Sequence, residues 1–242
     1  MDSALLSIYA ARVADQNDIQ WTTTTPEQFQ EALILSAMWH QGQTRANRAN
    51  LPRTPYIEHP LRNMLRVYRW GIVDSDILIA ILLHDTVEDC ADKITGYKAS
   101  DTGISDQRAE ALEKLATLFS PEVSYIVETV SNPIARKKPS SQAEKRDAYA
   151  THLASVLHNP ATFIVKLTDY VDNAGGLYHN YHPDKVEKLT NMYRKYMQVL
   201  PVFHTTYRNI ETEFTPTQQG NIEIALGKVK KNLAKLDSLL NS

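Results

Sequence analysis

The chain has 242 residues, 43% apolar and 22% charged, with 26 Lys and Arg against 28 Asp and Glu; this excludes a disordered or collagen-like chain and a small disulfide scaffold. A net charge of −2 provides no global basic field for nucleic acid or an anionic membrane, so an anionic ligand has to be met by a local cluster. The single cysteine, Cys90, suits a reducing compartment, and 8 glycines with 24 Leu and 23 Ala against 14 Val favour helices over turn-rich sheets.

Residues 1–16 carry no basic n-region and no long apolar core, so they do not read as a signal peptide. No stretch approaches the roughly 18 to 20 apolar residues of a membrane span. The expectation is a cytoplasmic protein with no membrane and no nucleic-acid partner. From Pro26, a good first-turn residue, Phe29, Leu33 and Ala37 step by four towards His40, and the helix should end near Gly42. Residues 44–55 hold two prolines and three arginines and read as an ordered loop. A helix over 58–70 should break at Gly71. Asp74 can cap the next, whose apolar run 77–83 reads as a helix buried on all sides.

Residues 90–106 read as a surface excursion. Helical spacing resumes at Leu112, Leu115 and Leu118, then at Val123, Ile126, Val127 and Val130 after Pro121. Arg136, Lys137 and Lys138 lie in a basic loop, read first as a solvated loop and then as a phosphate contact. Helices are expected over 142–157, 160–178 and 182–200, with Pro201 restarting the chain. In the last segment Ile222, Leu226, Val229, Leu233, Leu236 and Leu240 form a heptad-like seam. Packing on its own domain is the first reading of that seam, and a homodimer contact the second. The expected organisation is an N-terminal helical extension over 1–25, a catalytic domain over 26–200, and C-terminal helices over 201–242 packed on it.

The richest string is His84-Asp85-Thr86-Val87-Glu88-Asp89, where ionisable residues end a buried run. Burying that charge is costly unless a cation or mutual pairing offsets it. Further donors stand at His59, in Tyr56-Ile57-Glu58-His59-Pro60, and at Asp169, after the buried run 164–168. Two imidazoles and two carboxylates suit Mn²⁺, with Fe, Zn or Mg as alternatives; such an ion would generate hydroxide and polarise a phosphoryl oxygen.

Four segments resemble the HD-superfamily hydrolase domain of the RelA/SpoT-homologue proteins, and in particular its small alarmone hydrolases: 39–45 (Trp-His-Gln-Gly-Gln-Thr-Arg), 55–60 (Pro-Tyr-Ile-Glu-His-Pro), 84–89, and 166–173 (Lys-Leu-Thr-Asp-Tyr-Val-Asp-Asn). The likeness runs over residues 27–200. It implies an all-α HD-type fold and a Mn²⁺ held by His59, His84, Asp85 and Asp169. Glu88 and Asp89 would position and activate water, Asn173 would contact the nucleotide, and Arg45 would lie beside the guanine. The implied reaction is hydrolysis of the 3′-pyrophosphate of ppGpp and pppGpp, giving GDP or GTP and pyrophosphate, with a small-molecule nucleotide as the partner.

The chain departs from the family pattern where base and phosphates would bind. Tyr170 replaces an Arg, Asp172 a His and Gly175 a basic residue, and the loop before His59 is long, with Arg48 and Arg53 inside it as further substrate-binding candidates. These departures keep a second reading alive, an HD phosphohydrolase of another nucleotide such as pppApp, NADPH or a nucleoside monophosphate. A third is a non-enzymatic nucleotide-binding module. His40 reads as a helix-end or supporting histidine, and His152, His158, His179, His182 and His204 as surface or hydrogen-bonded ones.

Overall fold

A computed structural model describes residues 3–46, 51–98, 103–134 and 140–241. Arg48 and the basic trio Arg136, Lys137 and Lys138 lie outside the described residues. The chain resolves into two compact units, one of residues 1–44 and 55–134, the other of residues 45–54 and 135–242.

The first unit contains α1 (Ser3–Ala11) and α2 (Pro26–Trp39). In chain order, after the short strands β1 (Thr44–Arg45) and β2 (Thr54–Pro55), this unit continues with α3 (Glu58–Arg69), α4 (Ser75–Leu83), α5 (Thr86–Asp89), α6 (Ala91–Thr95), α7 (Ile104–Leu118) and α8 (Pro121–Val130). The expected starts hold. Thr25 and Gln28 form a capping box ahead of Pro26. Asp74 Oδ1 accepts from the amides of Asp76 and Ile77 at 2.9 and 3.1 Å and starts α4. Gly71, at φ 81, closes α3 in the left-handed conformation that a side chain would oppose.

The apolar run makes α4 the axis of the unit. Residues from Leu78 to Leu83 are fully buried, packed by α2, α3 and α8, as a helix without a polar face must be. The stretch expected as a surface excursion is partly core. Cys90 and Ile94, four apart, are buried as α6 packs on α7, which gives this turn of chain an inward face.

The second unit contains α9 (Gln142–Val156), α10 (Pro160–Gly175), α11 (Val186–Ile210) and α12 (Pro216–Leu240). The seam residues Ile222, Leu226, Val229, Leu233 and Leu236 are buried, on a helix packed against α10 and α11, as the first reading of the seam required. An aromatic cluster joins α10 to α11, with the rings of Tyr170 and Phe203 stacked at 4.5 Å. Pro201 does not restart the chain. It sits inside the 25 residues of α11, and the 200/201 boundary drawn from the sequence falls within that helix. Val199, Leu200 and Phe203 are buried around it while Pro201 and Met197 are exposed. The proline removes the hydrogen bond to the Met197 carbonyl, and burial of Val199, Leu200 and Phe203 around it outweighs that loss.

Among the described residues no helix is long and apolar enough to cross a membrane.

Candidate metal centre

The site in the first unit is built at the end of α4, where the last carbonyls are taken by side chains. Ser36 Oγ donates to Leu82 O at 2.7 Å, Thr86 Oγ1 to Leu83 O at 2.7 Å, and His84 Nδ1 bonds Ile81 O at 2.8 Å. A carbonyl can only accept, so Nδ1 of His84 carries the proton and Nε2 turns its lone pair outward. That Nε2 lies 2.9 Å from Asp85 Oδ2.

The other members approach from α3 and the turn before it. His59 Nε2 lies 3.8 Å from the same Asp85 oxygen, with the His59 and His84 rings 5.2 Å apart. Tyr56 donates its hydroxyl to Asp85 Oδ2 at 2.5 Å. Both imidazoles are buried. Two lone-pair atoms as close as His84 Nε2 and Asp85 Oδ2 repel unless a proton or a cation stands between them. The negative end of the α4 dipole also favours positive charge there. Imidazole nitrogens beside a carboxylate are a donor set for Zn, Mn or Fe, so these residues fit the divalent cation that the resemblance implies.

Around them lies a set of orienting contacts. Glu88 is held by Asn132, whose backbone amide donates to Oε1 at 2.8 Å and whose Nδ2 donates to Oε1 and Oε2 at 3.2 and 3.0 Å. Arg108 in turn donates to the Asn132 carbonyl at 2.8 Å. Asp89 is exposed at the rim, yet partial withdrawal from water, then the like charges of Asp85 and Glu88, push its carboxyl up to about 6. His40 does take a supporting role: its Nδ1 faces Gln43 Oε1 at 2.8 Å and Cys90 Sγ at 3.4 Å. Burial lowers its pKa. Burial also raises the Cys90 thiol to about 11.

Asp169 and Asn173 stand on α10 of the second unit. Asn173 Nδ2 donates to Asp169 Oδ1 at 2.5 Å, and Arg45 Nη2 donates to Asn173 Oδ1 at 2.6 Å. The chain Arg45, Asn173, Asp169 thus fixes the carboxylate one helical turn before the amide. Asp172 adds a carboxylate 3.8 Å from Arg45. Tyr170 turns into the core, its hydroxyl donating to the Tyr196 carbonyl at 2.9 Å. Of the neighbouring glycines Gly176 is the constrained one, since a Cβ there would meet the Asp172 carbonyl at 2.9 Å. Gly175 would meet only Val229, at 3.5 Å. Arg53 is exposed.

Sequence spacing had flagged His59, His84, Asp85 and Asp169, and the resemblance Arg45 and Asn173. Tyr56 lay inside a quoted segment without a role, and Asn132 was missed. Its only signal was a polar residue just past the end of α8.

No family model matches the chain. It is similar to a GTP pyrophosphokinase of Streptomyces coelicolor, 27% identical over 162 residues, which is 67% of this chain and 16% of that protein. It is 32% identical over 124 residues to a guanosine-3′,5′-bis(diphosphate) 3′-pyrophosphohydrolase of Aquifex aeolicus, covering 51% of this chain and 15% of the other. The hydrolase MESH1 of Xenopus tropicalis matches at 44% identity over 61 residues, 24% of this chain and 32% of that one. The matches therefore span at most about a third of these curated relatives. The described residues thus form an all-α architecture consistent with an HD-type domain, and the chain is similar to proteins named as guanosine-3′,5′-bis(diphosphate) 3′-pyrophosphohydrolases.

Proposed function

We propose that the chain hydrolyses the 3′-pyrophosphate ester of ppGpp and pppGpp, releasing pyrophosphate and GDP or GTP. The observation that carries this reading is the convergence of His59, His84 and Asp85, with Glu88 and Asp89 on the next turn of chain. His59, His84, Asp85 and, by the resemblance, Asp169 would hold one Mn²⁺. A cation bound there supplies Lewis acidity towards a phosphoryl oxygen and lowers the pKa of water. Glu88, oriented by Asn132, and Asp89 would hold and deprotonate the attacking water. Arg45 and Asn173 would contact the nucleotide, with Arg48 and Arg53 offering charge to its phosphates. The partner is thus a small nucleotide, in a cytoplasmic setting, with a homodimer as the second reading of the α12 seam.

The names of the Aquifex and Xenopus relatives support hydrolysis. The Streptomyces relative is named for synthesis, over a protein of which this chain matches 16%. A second reading, hydrolysis of another nucleotide, is favoured by Asp172. Its carboxylate stands beside Arg45 and offsets part of the charge that would meet a substrate. Tyr170 adds to this by pointing into the core where the family places an arginine.

The test is to incubate the purified chain and Mn²⁺ with ppGpp, pppGpp, pppApp, NADPH and nucleoside monophosphates, and to measure released pyrophosphate or phosphate. Pyrophosphate from ppGpp, abolished in Asp85→Ala, is the expected result. Turnover of another nucleotide with none from ppGpp would install the second reading, and binding without turnover of any would leave a nucleotide-binding module.

A further inference from the structure

Helix α3 carries a second concentration of chemistry beyond His59. Arg62, Arg66 and Arg69 follow at intervals of four and three, so their guanidiniums leave the helix along one stripe. With Leu65, Trp70 and Leu6 of α1 they line an open cavity of about 280 Å³ within the first unit. Leu6, Leu65 and Trp70 are buried and form its apolar side; Arg62 and Arg66 are half-buried and Arg69 is exposed. The Glu58 carboxylate meets Arg62 at 3.2 Å, and Arg66 donates to Asn63 Oδ1 at 2.6 Å. Complementing the α3 dipole accounts for basic residues in its last turn. It does not account for Arg62, about two turns earlier, opening on the same cavity.

We propose that this cavity binds a mononucleotide, with its phosphate on the arginine stripe and its base against Trp70. Guanidinium forks match phosphate oxygens two at a time, and do so where a lone ammonium would offer only a point charge. A chain of net charge −2 has to meet an anion locally, and three arginines on one cavity do that. The small exposed edges of Trp70, Leu65 and Leu6 give the cavity an apolar side for a ring to meet. The volume stands just below the roughly 300 to 1,000 Å³ of small-molecule pockets, the scale of a mononucleotide. This inference does not rest on the proposed hydrolysis, and it requires no metal.

The test is titration of the chelator-treated full chain with GMP, followed by calorimetry and tryptophan fluorescence, with guanosine and inorganic phosphate as partial probes. GMP is expected to bind with a Kd of about 0.1 mM, tighter than either partial probe. Arg66→Ala with Arg69→Ala should weaken GMP at least about tenfold, and Arg69→Lys, which keeps the charge and loses the fork, several-fold. Arg45→Ala should leave this binding unchanged. Absence of GMP binding, inorganic phosphate binding as tightly as GMP, or GMP binding lost in Arg45→Ala and retained in the arginine variants would each overturn the proposal. If the double variant fails to fold by circular dichroism, Arg69→Lys decides alone.

Discussion

His84 turns Nε2 towards Asp85 Oδ2 at 2.9 Å while its Nδ1 proton is committed to the Ile81 carbonyl. A divalent cation between these two donor atoms would relieve their mutual repulsion. Mn²⁺ at about 100 times its Kd should stabilise the fold by about 2.7 kcal/mol, a Tm rise of about 5 to 10 °C for a chain of this size. Differential scanning fluorimetry with Mn²⁺ and with chelator reads it. Asp85→Ala should lose the rise, and an equal rise in that variant would remove Asp85 from the donor set.

Glu88 receives both the backbone and the side-chain amide of Asn132. Asn132→Ala removes the side-chain half and keeps the backbone donor. We expect kcat for the nucleotide turned over to fall about tenfold, with KM held within about twofold, since the contact orients a reacting group and binds no substrate. In a Glu88→Gln background the same substitution should cost almost nothing more. An additive loss in the double variant would mean that Asn132 acts elsewhere.

Asp89 has a carboxyl raised to about 6 by partial burial and by Asp85 and Glu88. A folded-state pKa above the unfolded value means that the native state binds more protons in between, so this group's contribution is fully present in acid and is lost as pH rises through about 6. Asp89→Asn should therefore raise the Tm of the chelator-treated protein near pH 7.5 and change it little near pH 4. Solvent screening at this exposed rim limits the gain to about 2 °C. A gain confined to acid would reverse the sign and contradict the account.

Leu233 is fully buried on α12. Leu233→Ala should cost about 2 to 5 kcal/mol of stability, read by urea unfolding, and leave the sedimentation behaviour of the chain unchanged. A shift in oligomeric state without loss of stability would instead make the seam an intermolecular contact.

The parts legible in the sequence are those whose cost is local. Phe29, Leu33 and Ala37 declare a helix by period, Asp74 declares a cap, and His84-Asp85 after a run of buried aliphatics declares charge that must be compensated. What was not legible depends on chain segments meeting. Tyr56 reaches Asp85 across 29 residues and Asn132 reaches Glu88 across 44, and no local pattern announces either. Pro201 misled for the converse reason: its local rule is to break a helix, and packing by Val199, Leu200 and Phe203 overrules it. Cys90 reads as a small buried residue from the sequence, whereas Ile94 sat in a stretch too mixed to show the inward face that tertiary contact with α7 gives it.

Cys90 is the chain's single cysteine, fully buried directly after Asp89, with a thiol raised to about 11. Its thiolate is scarce at neutral pH and shielded from reagents, so an alkylating probe reaches it only when the structure around it opens. The rate of thiol labelling therefore times local opening beside the turn that carries Glu88 and Asp89, through a residue the chain already has.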